Sequence, residues 1–256
     1  MLHRFAHPTR YLRLANAVLP WLTGMTVLII GTGIYFAFAA SPPDYQQGET
    51  VRIMYVHVPS AWMAMFAYAF IAVASAVGLI WKHPVAHVCA LAAAPVGACF
   101  TLICLTTGSL WGKPMWGTWW VWDARLTSVL ILFFLYLAFI ALANAFDDSS
   151  RGEKASAVLA LVGSVILPVI KFSVDWWNTL HQPASVTKVG MPSVDASMLT
   201  PLMLMALGFT TLFFVLVIIR TRSELAARRV NALRSARIHS ETGKPETSPT
   251  TGGNQG

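Results

Sequence analysis

The chain reads as an all-α integral membrane protein, a six-transmembrane-helix bundle with both termini in the cytoplasm. Three observations predict this. Of its 256 residues, 56% are apolar and only 11% charged, too apolar for a soluble domain of ordinary composition. Six separate stretches each supply the roughly 20 apolar residues that a helix needs to cross a hydrocarbon core of about 30 Å. Lysine and arginine gather on one side of those stretches, thirteen against five when the two termini share that side, which by the positive-inside tendency is the cytoplasm.

The stretches run over residues 21–40, 60–81, 86–107, 126–146, 155–172 and 199–219. The first follows Arg4, Arg10 and Arg13 and ends in Ala37-Phe38-Ala39, a pattern similar to a secretory signal. At full span length it exceeds the 7–15 apolar residues of a signal core, so it is expected to stay as a helix. The second and third are joined by the short polar link 82–85, and the fourth and fifth by 147–154, as in antiparallel helical hairpins. Period-two alternation is absent, and backbone groups shielded from water must be satisfied within each segment, so helices are the expected form. Residues 1–222 therefore make the membrane domain. Residues 223–256 make a cytoplasmic tail, basic at first and expected to be disordered from Ser240, where Gly, Pro, Ser and Thr dominate. Arg220–238 is suited either to prolonging the last helix or to lying on the anionic leaflet.

The net charge of +7 follows this topology. The basic residues stand at segment ends and in the tail, not among exposed aromatics, so no nucleic-acid partner is expected, only the lipid bilayer. Cys89, Cys99 and Cys104 all fall in the third stretch with neither C-x-x-C nor C-x-x-C-H spacing. Disulfides and covalent haem attachment are not signalled, and burial is the expected role. The spans carry almost no ionisable groups, which disfavours an ion-coupled transporter. There is no G-x-x-x-x-G-K-[ST] phosphate loop, so an ATPase activity would have to come from another chain.

Three longer, aromatic segments face outward: residues 41–59, 108–123 and 173–198. The middle one holds five of the ten tryptophans within twelve residues, Trp111, Trp116, Trp119, Trp120 and Trp122. Indole is a flat apolar surface with one N–H donor, suited either to the headgroup belt or to a large planar ligand. Trp116, Trp119 and Trp120 have the spacing of one helical face and Trp122 of another. Of seven histidines, His57 and His181 share this side. Two neutral imidazoles on opposite faces of a flat macrocycle would complete the coordination of its iron. Interfacial hydrogen bonding to water or backbone is the competing role. Asp123 is placed to cap the fourth helix. Arg125 and Lys113 are placed to pair with ligand carboxylates, with Asp123 or with lipid phosphate. His83 and His87, four apart, lack an accompanying carboxylate or thiolate and read as a membrane-surface pair.

The run Trp111-Gly-Lys-Pro-Met-Trp-Gly-Thr-Trp-Trp-Val-Trp-Asp-Ala-Arg-Leu-Thr-Ser128 resembles the tryptophan-rich WWD signature of haem-handling proteins. Six spans and two flanking outer histidines narrow the resemblance to the cytochrome c maturation protein C (CcmC) family, over the chain up to about Arg229. The resemblance implies a bacterial inner-membrane protein, not an enzyme, that holds haem b non-covalently and transiently at the periplasmic face. It would present that haem to the chaperone CcmE and associate with CcmD and with the transporter subunits CcmA and CcmB. It also implies that His57 and His181 are the axial iron ligands. The WWD segment within residues 108–128 would supply the haem platform and chaperone-docking surface, so Trp111, Trp116, Trp119, Trp120, Trp122, Asp123 and Arg125 are its candidate binding residues. Two alternatives are a haem permease subunit of an ABC-type exporter and a scaffold that binds no haem.

Overall fold

A computed structural model describes residues 7–181 and 194–242, all helix and connecting turns, with no strand among the described residues. Lys188 and the residues after 242, the greater part of the expected disordered tail, lie outside the described residues. Among the described residues, seven α-helices build six segments long and apolar enough to cross a membrane, as the sequence predicts.

Helix α1 (Pro8–Tyr35) starts on a proline, whose missing N–H costs nothing in a first turn. It widens at its far end into a π-turn, Phe36–Ala40, closed by Ser41 N–H donating to Phe36 O at 2.8 Å. Helix ends leave carbonyls without intrahelical donors. Here Arg52 supplies them, its Nη1 donating to Ala37 O at 2.5 Å and Phe38 O at 3.0 Å. A 3-10 turn, Glu49–Ile53, then runs straight into α2 (Met54–Trp81). Lys82, in the left-handed region, reverses the chain into α3 (Pro84–Trp116). The His83 Nδ1 accepts Ala86 N–H at 3.2 Å and caps α3.

Helices α2 and α3 form the most extensive helix pair, because α3 presents a run of small residues. Ala90, Ala92, Ala93, Ala94 and Ala98 are all buried. Helix α4 (Ala124–Ala143) packs into this pair through Tyr136, whose hydroxyl donates to Ala64 O at 2.7 Å and whose ring meets Tyr68 edge-on at 5.1 Å.

The fifth stretch departs from the sequence expectation of one helix. It divides into α5 (Ser149–Gly163) and α6 (Ile166–Trp176). Pro168 has no N–H for the Ser164 carbonyl, which takes Leu167 N–H instead at 3.0 Å, and the chain bends there. The last helix, α7 (Ala196–Thr242), has 47 residues, a length of roughly 70 Å against a hydrocarbon core of about 30 Å. Residues 223–242, which the sequence reading assigns to the tail, are thus helical and continuous with the last span.

With six spans, α1 begins and α7 ends at the same end of the bundle. There, Arg228 of α7 pairs with Glu153 of α5 at 2.7 Å and with Glu224 at 2.8 Å. Asp148 caps α5, and the Ser150 backbone N–H, then its hydroxyl, hold that carboxyl below the ordinary aspartate range. The tryptophans of residues 111–122 lie at the opposite end.

Candidate functional site

His57 sits inside the first turn of α2, not in a preceding loop as the apolar pattern suggests, and is 8% exposed. Helix α3 runs past it. Nδ1 of His57 lies 3.1 Å from Cys104 O and 3.1 Å from Thr107 Oγ1. The Thr107 hydroxyl spends its proton on Ile103 O at 2.6 Å, and a carbonyl can only accept. Both neighbours therefore ask Nδ1 to donate, which leaves the Nε2 lone pair as the acceptor of the ring. The close approach requires glycine at 108, where a Cβ would stand 2.9 Å from His57 Cε1.

The second histidine arrives from another part of the chain. After α6 the backbone becomes extended at Trp177. The His181 N–H donates to Thr179 Oγ1 at 3.0 Å, and the Thr179 hydroxyl donates to Asp123 Oδ2. His181 is thereby brought to His57. Their ring centroids are 6.5 Å apart, with planes inclined by 30°. Two imidazoles bound through nitrogen to one metal ion, at about 2 Å each, hold their centroids roughly 6 Å apart.

The tryptophans divide into two groups. Trp111 and Trp116 occupy the last turns of α3, which runs past the expected end at 107. Trp111 meets His57 edge-on at 5.6 Å, and its indole N–H donates to Gln47 Oε1 at 2.9 Å. Gln47 is held by a turn in which Asp44 Oδ1 accepts the N–H groups of Gln46 and Gln47 at 2.9 and 2.8 Å. Trp116 lies 6.1 Å from the His181 ring. Gly117, with φ +75°, then ends the helix and its N–H bonds to Lys113 O.

The helical face expected for Trp116, Trp119 and Trp120 is consequently not formed, because the chain from Gly117 to Asp123 is irregular. That short segment is pinned by Ser109 Oγ donating to Trp119 O at 2.7 Å and Lys113 Nζ to Gly117 O at 3.0 Å. The Lys113 ammonium also lies 5.9 Å from the Trp119 ring centroid. Trp120 packs edge-on against Trp122 at 5.5 Å. Its Nε1 is buried without a hydrogen-bond partner among the described residues. Trp119 and Trp122 are 54% and 76% exposed.

Asp123 caps α4 as its sequence position predicts, Oδ1 accepting Leu126 N–H at 2.8 Å. Arg125 is engaged by α6. Its Nε donates to Ser173 Oγ at 3.1 Å and its Nη2 to the carbonyls of Ile170 and Lys171, each at 3.3 Å. Thr107, Gln47 and Thr179 were not singled out from sequence. Thr179, two residues before His181, has the spacing of a hydroxyl turn, whereas Gln47 and Thr107 carried no comparable signal.

Among the described residues no group of three or more His, Cys, Asp or Glu side chains could hold a metal ion. A protein-only centre ordinarily needs four ligands. Two facing imidazoles, walled by indoles, suit a metal that brings its own equatorial nitrogens.

The chain is similar over most of its length to known proteins. The family model described as Heme exporter protein C matches residues 1–236. A Heme exporter protein C from Bradyrhizobium diazoefficiens is 57% identical over 229 residues, covering 90% of this chain and 87% of that protein. Its namesake from Escherichia coli is 47% identical over 222 residues, covering 87% and 89%. A putative cytochrome c biosynthesis ccmC-like mitochondrial protein from Marchantia polymorpha is 46% identical over 201 residues, covering 78% and 85%.

Proposed function

The chain belongs to the Heme exporter protein C family, and from that premise we propose that it binds haem b at the periplasmic face of the bacterial inner membrane and delivers it to the chaperone CcmE. The observation that carries the reading is the imidazole pair. His57 and His181 stand 6.5 Å apart, and the Nδ1 contacts of His57 turn its Nε2 into the ligating nitrogen. Metal-bound histidines regularly give their second N–H to a backbone carbonyl, which fixes tautomer and ring orientation.

In this reading haem supplies the iron, four equatorial nitrogens and a reactive edge, and the chain supplies orientation and a dry wall. His57 and His181 take the two axial positions. Trp111 and Trp116, each beside one imidazole, exclude water from the iron. The buried indole N–H of Trp120 is a donor for a polar group of the cargo. Trp119 and Trp122, more than half exposed, form the surface on which CcmE docks. Bound haem would present its reactive edge toward that surface. The termini lie in the cytoplasm, and CcmA, CcmB and CcmD are the partner subunits.

The test is to purify the protein in detergent without CcmE and record its visible absorption, then add apo-CcmE and follow the haem. Co-purified haem that moves to CcmE, and moves several-fold more slowly from Trp119→Ala, is the expected result. A haem-free protein would overturn the reading in favour of the scaffold.

A further inference from the structure

We infer that Asp123 and Thr179 are positioning residues for His181, and that the acid of the tryptophan segment acts by tethering that imidazole. The inference rests on the haem reading above for its consequence, but its geometry stands without haem.

His181 has no helix under it, since the backbone leaves α6 in an extended conformation at Trp177. What holds it is a chain of hydrogen bonds in which every proton has a direction. The His181 backbone N–H donates to Thr179 Oγ1 at 3.0 Å. The hydroxyl oxygen can accept that bond and still donate its one proton, which goes to Asp123 Oδ2. The other carboxylate oxygen, Oδ1, accepts Leu126 N–H at 2.8 Å in the first turn of α4. One carboxylate therefore fastens the histidine segment to the start of a membrane-spanning helix. Because Asp123 is only 9% exposed, water competes weakly for either oxygen. Two residues on, Arg125 draws the end of α6 to the same helix start through Ser173 Oγ and the carbonyls of Ile170 and Lys171. The chain from Ser173 to His181 is thus fastened to the start of α4 on both sides, through Arg125 before it leaves α6 and through Asp123 after.

An N-cap alone would need one carboxylate oxygen. A serine at 123 would serve as well for capping but is too short to reach Thr179. That separates the two roles.

The experiment compares wild type, Thr179→Val, Thr179→Ser and Asp123→Ser, each as the full chain in detergent. Amide hydrogen exchange at His181 is read on haem-free protein. We expect Thr179→Ser to match wild type. Thr179→Val and Asp123→Ser should exchange about tenfold faster at His181, in line with loss of a charge-assisted hydrogen bond. The Leu126 amide should keep its protection in Asp123→Ser. On haem-loaded protein, Thr179→Val should convert part of the low-spin ferric signal to high spin, Thr179→Ser should restore it, and adding Thr179→Val to His181→Ala should change nothing further. Unaltered His181 exchange in both Thr179→Val and Asp123→Ser would overturn the tether. Faster exchange with an unchanged spin state would overturn its role in placing the imidazole. If wild type carries no haem, the haem reading fails while the exchange data still decide the tether.

Discussion

The two halves of the candidate site hold their histidines in different ways. On the α2–α3 half, His57 stands on a helix, is almost fully buried, and has Nδ1 fixed by Cys104 O and Thr107 Oγ1. On the α4–α6 half, His181 stands on a non-helical segment, partly exposed, and is held through Thr179 to Asp123. Moving the first imidazole requires two packed helices to part. The second stands on a partly exposed, non-helical segment, where opening the Thr179 hydrogen bonds costs about 0.5–3 kcal/mol each and no pair of packed helices has to part. In the proposed haem reading this inequality suits a carrier that must both hold and release a planar cargo, His57 being the fixed ligand and His181 the one that lets go. The fixed side lies on the buried helix pair, and the releasable side lies beside the exposed Trp176 and Trp177.

The two halves should therefore respond unequally to substitution. The largest effect is expected from His57→Ala, which should weaken haem retention by more than about a hundredfold, beyond the range seen for loss of a partner hydrogen bond. His181→Ala should retain haem, now high-spin, and a haem-scavenging assay with apomyoglobin measures both. Next comes Gly108→Val, which drives a side chain into His57 Cε1, already 2.9 Å from a Cβ at that position. Overpacking of this kind costs about 1–3 kcal/mol, and the haem dissociation rate should rise about tenfold with helix content unchanged by circular dichroism. Arg125→Met should act on the other half, freeing α6 from α4 and lowering thermal stability in detergent by about 1–3 kcal/mol. Thr107→Val should be milder, about 0.5–1 kcal/mol in haem affinity, because the Cys104 carbonyl still receives the Nδ1 proton. The smallest effect on the fold belongs to Trp119→Ala and Trp122→Ala. Both side chains are exposed, so stability should stay within about 0.5 kcal/mol while transfer to CcmE slows.

The six spans were legible in the sequence because lipid-crossing helices need long apolar runs, and such runs are seen in hydropathy without any knowledge of packing. Their ends were less legible. Helix α3 continues to Trp116 because backbone hydrogen bonding persists where average hydropathy falls, and Trp, Lys and Gly lower that average without breaking a helix. The division of α5 from α6 had a visible cause in Pro168, hidden inside an apolar run. His57 and His181 were recognisable as the outer pair, yet spacing says nothing about an approach across more than a hundred residues. That approach is set by helix packing and by the Thr179–Asp123 bond. Asp123 as a cap was legible, since capping is local. Its second oxygen was not, because its partner comes from a distant part of the chain.

The most direct test of two unequal histidines clamping one iron is the ferric electron paramagnetic resonance spectrum of the purified, haem-loaded protein beside His57→Ala and His181→Ala. The account predicts a low-spin bis-imidazole signal in wild type, a high-spin signal in His181→Ala, and almost no bound haem in His57→Ala. A low-spin signal that survives in His181→Ala, or equal haem loss in the two single variants, would contradict it.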